Sequence, residues 1–69
     1  MNPPEDAITQ SERHVREGEE RIARLTALIE RMDRAGHEHR AEQARQMVAT
    51  FQQCLETAHE HLRIQRSMR

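Results

Sequence analysis

Apolar residues recur in alternating steps of three and four along most of the chain, and the pattern breaks at Gly36. That spacing is the period of an α-helix that buries one face. Before the break the series runs Ile8, Ser11, Val15, Gly18, Ile22, Leu25, Ile29, Met32. After it the series runs Ala41, Ala44, Val48, Phe51, Leu55, Ala58, Leu62, Gln65. Each half is an unbroken heptad register, with Ser11, Gly18 and Gln65 as its imperfect members. Gly36 stands where a left-handed residue ends a helix. The spacing therefore predicts two helices, residues 4–35 and 38–67, joined by a turn at 36–37. So short a connection makes the helices antiparallel. The expected fold is all-α: a coiled-coil-like antiparallel hairpin, one domain over residues 1–69.

Composition removes most alternatives. Sixty-nine residues leave room for one domain. A third of them are charged and only 35% are apolar, and no run approaches the ~18 apolar residues of a membrane span. One aromatic residue, Phe51, and two glycines and two prolines do not furnish the strands and turns of a β-sandwich or barrel. A large enzyme pocket is excluded as well, because a chain this short buries only ~60% of its surface. The formal charge is −1, from eleven arginines, no lysine and twelve acidic residues. No global field of either sign draws or repels nucleic acid. A single cysteine, Cys54, permits no internal disulfide. The stretch Met1-Asn2-Pro3-Pro4-Glu5-Asp6 lacks the basic and apolar regions of a signal peptide. The expectation is a soluble cytoplasmic protein.

The helix ends differ in quality. Asn2 before Pro3 resembles an N-cap followed by a first-turn proline, with Glu5 and Asp6 at the positive end of the dipole. Thr9 and Glu12 offer a capping box if the first turn frays. The second helix has no Ser, Thr, Asp or Asn near residues 37–39, so its start is the weakest local feature.

Folding at Gly36 and His37 pairs core residues whose numbers add up to about 73, so that Met32 meets Ala41, Leu25 meets Val48, Gly18 meets Leu55 and Ile8 meets Gln65. Large residues face small ones at most layers, as close packing requires. Gly18 is then a space-making residue for Leu55 and the Phe51 ring. Along one edge the same folding brings Glu5 to Arg66, Glu12 to His59, Glu19 to Gln52 and Thr26 to Arg45. The other edge is apolar: Leu28 and Ala35 from the first helix, with Met47, Cys54, His61 and Met68 from the second. A two-helix layer does not cover that strip by itself, and chains below ~70–80 residues seldom reach 3–5 kcal/mol from one core. Self-association into a two-fold dimer, a four-helix bundle, is expected. An unidentified partner helix is a further candidate for the same Met-containing seam.

Chemistry-bearing residues are few. The five histidines include two His-Glu-His runs, at 37–39 and 59–61. Residues two apart on a helix point ~200° away from each other, which suits a helical metal site poorly. The pair His14 and His61, on one edge, is the candidate zinc site, with Glu17 or Glu60 as an oxygen ligand. Cys54 is mid-helix, and a redox role requires a lowered pKa and access. No nucleophile motif, glycine loop or metalloprotease helix is present, so no catalytic residue and no cofactor are assigned. Arg63, Arg66 and Arg69 share one side of the helix end and form the candidate nucleic-acid patch. Dimeric hairpins of this size include RNA-binding regulators encoded on plasmids. With no free aromatic for base stacking, nucleic acid ranks behind protein association.

His14-Val15-Arg16-Glu17-Gly18-Glu19, Arg21-Ile22-Ala23-Arg24, Leu28-Ile29-Glu30-Arg31, Gly36-His37 and Thr50-Phe51 together resemble a group of small bacterial two-helix proteins, often alphaproteobacterial, without an assigned activity. The likeness spans about residues 14–62. In that group an Asp-Thr type cap follows Gly-His, where this chain has Glu38-His39. The resemblance implies a small stand-alone helical protein and supplies no catalytic residue. The function expected from the whole reading is a non-catalytic protein-interaction or regulatory module acting by helix–helix association. Nucleic-acid binding through arginines stands second, and metal or redox sensing third.

Overall fold

The computed structural model describes residues 6–68. It contains two helices, α1 (Ala7–Arg34) and α2 (Glu38–Ser67), packed against each other as an antiparallel hairpin. The slab measures 49 × 29 × 12 Å, so its thin dimension is that of a single helix.

α1 begins at Ala7. Asp6 is its N-cap, in an extended conformation, and the Thr9 backbone N–H donates to the Asp6 carboxylate at 2.7 Å. The expected cap at Asn2 lies outside the described residues. A short carboxylate that reaches the third backbone N–H satisfies an orphan donor and favours the positive helix end, which fixes the start at Asp6. Thr9 therefore serves as a backbone donor in this cap.

α1 ends as the glycine predicts. Gly36 adopts φ 81°, the His37 N–H donates to the Met32 carbonyl at 2.9 Å, and the Gly36 N–H donates to the Asp33 carbonyl at 3.1 Å. These two bonds are the Schellman pattern, which closes the carbonyls that a helix end leaves open. α2 starts at His37 with no side-chain cap bond, as the sequence between 37 and 39 implies. Its first turn relies on the backbone, with the Ala41 N–H donating to the His37 carbonyl at 2.9 Å and Glu38 at the positive end.

All sixteen heptad positions, from Ile8 to Gln65, are buried or half-buried, and Arg13 is the only other described residue that is. The core is weighted toward the turn. Ile29, Ala41 and Val48 form one buried cluster, with Ile22, Leu25, Met32 and Ala44 packed against it. Val15 and Leu62 form the buried positions nearer the open end. At that end the side-chain oxygen of Gln65 is buried without a partner.

Gly18 lies between the two regions. A Cβ built there falls 3.2 Å from Leu55 Cδ1, so the side chain of Leu55 already occupies the space the glycine leaves. A mid-helix glycine costs ~1 kcal/mol relative to alanine. The obstructing atom is the far end of a flexible side chain, beside a half-open hollow into which it can shift. Gly18→Ala is therefore expected to raise the melting temperature of the single hairpin by a few degrees, at a chain concentration where light scattering shows a monomer, since ~1 kcal/mol corresponds to roughly 4–8 °C in a domain this size. A fall in melting temperature, measured at fixed chain concentration, means that Leu55 cannot give way.

Candidate interaction face

The two faces of the slab are built from the two flanks of the heptads. One flank is closed by charge. Arg45 contacts Asp33 across the hairpin and Glu42 on its own helix at 3.3 Å. His59 Nε2 is 3.1 Å from Glu19 Oε1, and Arg66 Nη2 is 3.8 Å from Glu12 Oε2. The hydrogen bond that Arg45 donates to Asp33, then the Asp33 charge, raises the Arg45 pKa above its ordinary value.

These pairs differ from the expected ones by one heptad. The spacing predicted Glu12 with His59, Glu19 with Gln52 and Thr26 with Arg45; the structure pairs Glu12 with Arg66, Glu19 with His59 and Asp33 with Arg45. The expected pair of Glu5 with Arg66 involves a residue outside the described ones, and Arg66 is engaged by Glu12. The cause is the lean of helical side chains toward the N-terminus of their own helix. In an antiparallel hairpin, α1 side chains lean toward the open end and α2 side chains toward the turn. Contacting flank residues then carry numbers that add up to 78, above the 71 of the expected pairs and the 73 or so of level backbone positions. The core layers escape this effect because they meet head-on.

The opposite flank has no such cover. Leu28 is 44% exposed, Met47 52% and Met68 79%, and Ala35, Cys54 and His61 are exposed beside them. The expected strip is therefore present on one face. Ile64, 47% exposed, extends it along the outer edge of α2. The heptad reading missed Ile64 because it lies one column outside the flank; its only signal is a large apolar residue among polar neighbours.

A hollow of about 200 Å³ opens on this face, lined by Gly18, Leu55, Ala58, Phe51 and Cys54, with His14 and Arg21 at its rim. It exceeds the ~150 Å³ that holds a benzene-sized group. Arg21 lies over the Phe51 ring, 5.8 Å from its centroid, within the range of a cation–π contact.

The other candidate residues lie as follows. His14 borders the hollow beside Gly18, whereas His61 borders a separate depression on α2 with Glu56, Thr57, Glu60 and Ile64. Among the described residues no three His, Cys, Asp or Glu side chains are grouped to hold a metal ion. Arg63 is engaged by Glu60, which it hydrogen-bonds, and that bond and the guanidinium charge hold the Glu60 carboxyl below the usual carboxylate range. Arg66 faces Glu12, and Arg69 lies outside the described residues. The patch expected at this helix end is thus partly neutralised by acidic neighbours. Among the described residues no helix is long and apolar enough to cross a membrane.

The chain exposes 5747 Å². A compact protein of 8.2 kDa exposes ~4,500 Å², so about 1,200 Å² is surplus surface. No family model, no curated protein and no solved structure matches the chain.

Proposed function

We propose that this chain is a non-catalytic interaction module that works by helix-against-helix association, with a second copy of itself as the first partner and a four-helix bundle as the product. One observation carries the reading: Leu28, Met47 and Met68 stand exposed on one face of a slab one helix thick, while polar and charged cross-hairpin pairs line the opposite face. An apolar row of that kind on a small chain marks an association site. The surplus surface of about 1,200 Å² per chain exceeds the about 800 Å² that each partner of a standard interface buries. Methionine in the row adapts to a partner helix of imperfect fit. We place the module in the cytoplasm, where Cys54 stays a free thiol. The arginine reading has less behind it, because Arg63 and Arg66 both have acidic neighbours.

Light scattering over a dilution series tests this reading. The chain is expected at twice its own mass, with or without reductant. Met47→Glu places an unpaired carboxylate on the face and is expected to weaken association by at least about thirtyfold, since ~2 kcal/mol is the cost of such a group. A wild-type chain that is monomeric throughout, or a Met47→Glu dimer of unchanged affinity, contradicts the proposal.

A further inference from the structure

The apolar face carries a ridge and a hollow at different heights. The hollow sits at the level of Gly18 and Leu55. The ridge, Leu28 and Met47, stands nearer the turn. Along the hairpin they are separated by about nine residues, or ~13 Å at the helical rise. The level midway between them is near Ile22, within about two residues of the middle of Ala7–Arg34. A two-fold axis at that level, lying between two copies laid face to face and perpendicular to their helices, exchanges ridge and hollow. Because the axis is close to the centre of the hairpin, the two copies overlap along nearly their full length.

We propose that a second copy packs head to tail on this face, so that the Leu28–Met47 ridge of each chain fills the hollow beside Gly18 of the other. This rests on the association reading above and adds the orientation. In the alternative, with turn beside turn, hollow faces hollow and an empty space remains at the seam. Charge at the edges is mixed. The outer edge of α1 bordering the face carries Glu17 toward the open end and Arg24 and Arg31 toward the turn. Head-to-tail packing runs α1 against α1 of the second copy in opposite directions, which brings each Glu17 level with the region between Arg24 and Arg31 of the other chain and also sets the two Arg24 residues within about three residues of each other across the axis. Turn-to-turn packing sets α1 against α2, whose corresponding edge of Gln43, Thr50, Thr57 and Ile64 offers those arginines no acid. On α2 the head-to-tail register places Met47 opposite Cys54 of the second copy.

A label-to-label distance decides the orientation. The full chain carrying Cys54→Ser and His37→Cys takes one nitroxide at the turn. Both positions are exposed and the His37 side chain makes no cap bond, so the hairpin keeps its supports. Head-to-tail packing predicts a separation of about 40 Å between labels by pulsed electron resonance. A separation below about 20 Å, in a species that light scattering shows to be dimeric, means turn beside turn and overturns this proposal while leaving the association reading intact. A labelled chain that is monomeric at every concentration, with the unlabelled chain also monomeric, removes the association reading and this proposal with it. A second variant is independent of the label. Met47→Cys with Cys54 retained, oxidised with diamide, is expected to give a cross-linked dimer whose peptide map joins position 47 to Cys54. A map that joins Cys54 only to itself, or a dimer that stays uncross-linked, counts against the register.

Discussion

Ile29→Ala is expected to remove about 2–5 kcal/mol of stability, which for a chain of this size is most of what it has. Ile29 is 7% exposed and belongs to the single cluster with Ala41 and Val48 that anchors the turn half of the hairpin. Its loss leaves a cavity that Ala41, fully buried and already small, cannot fill. The cost of a large-to-small substitution rises with the volume left behind. The measurement is helical circular dichroism during urea and thermal unfolding. Leu28→Ala is the matched control. Leu28 is next in sequence but 44% exposed on the association face, so its removal is expected to change hairpin stability little while weakening association. If the two substitutions have equal effects on unfolding at low concentration, the core and the association face are not the separate surfaces described here.

Gly36→Val is expected to cost about 2 kcal/mol or more, and Gly36→Asn about half of that. The residue sits at φ 81°, a conformation in which a Cβ meets the following carbonyl and a β-branched side chain fits worst. A Cβ there would touch nothing else within 4 Å, so the penalty is one of backbone conformation and not of packing. Asparagine tolerates the left-handed region, which is why it is the discriminating partner. The same substitution strains the two bonds from Gly36 and His37 to the end of α1, and the turn is the one point that sets helix register. Melting curves of the three chains at one concentration check the order Gly, Asn, Val. Equal stability for Val and Asn means that the turn can adopt another geometry at no cost.

The fold was open to reading because its signals are local and repeated. Sixteen positions at helical spacing, one glycine between two runs, and a large-against-small match across the layers all point to the same hairpin. The details that escaped are those in which side chains reach beyond their own layer. Asp6 caps the described helix with its own carboxylate, a role that depends on its extended backbone and not on residue type alone. Charged partners on the closed face moved by a heptad because the lean of side chains is a three-dimensional property of two helices running in opposite directions.

By itself the sequence determined the helices, the turn, the core-facing series and the location of the apolar strip. Helical period and glycine conformation depend on residues only a few positions apart, and these the order of residues states directly. The tertiary structure alone decided which charges meet across the hairpin, that a hollow opens beside Gly18 and Leu55, and that the exposed ridge of Leu28 and Met47 stands a third of the hairpin away from it. Those are relations between surfaces, set by how far side chains reach and which way they lean, and they exist only once two helices are laid side by side.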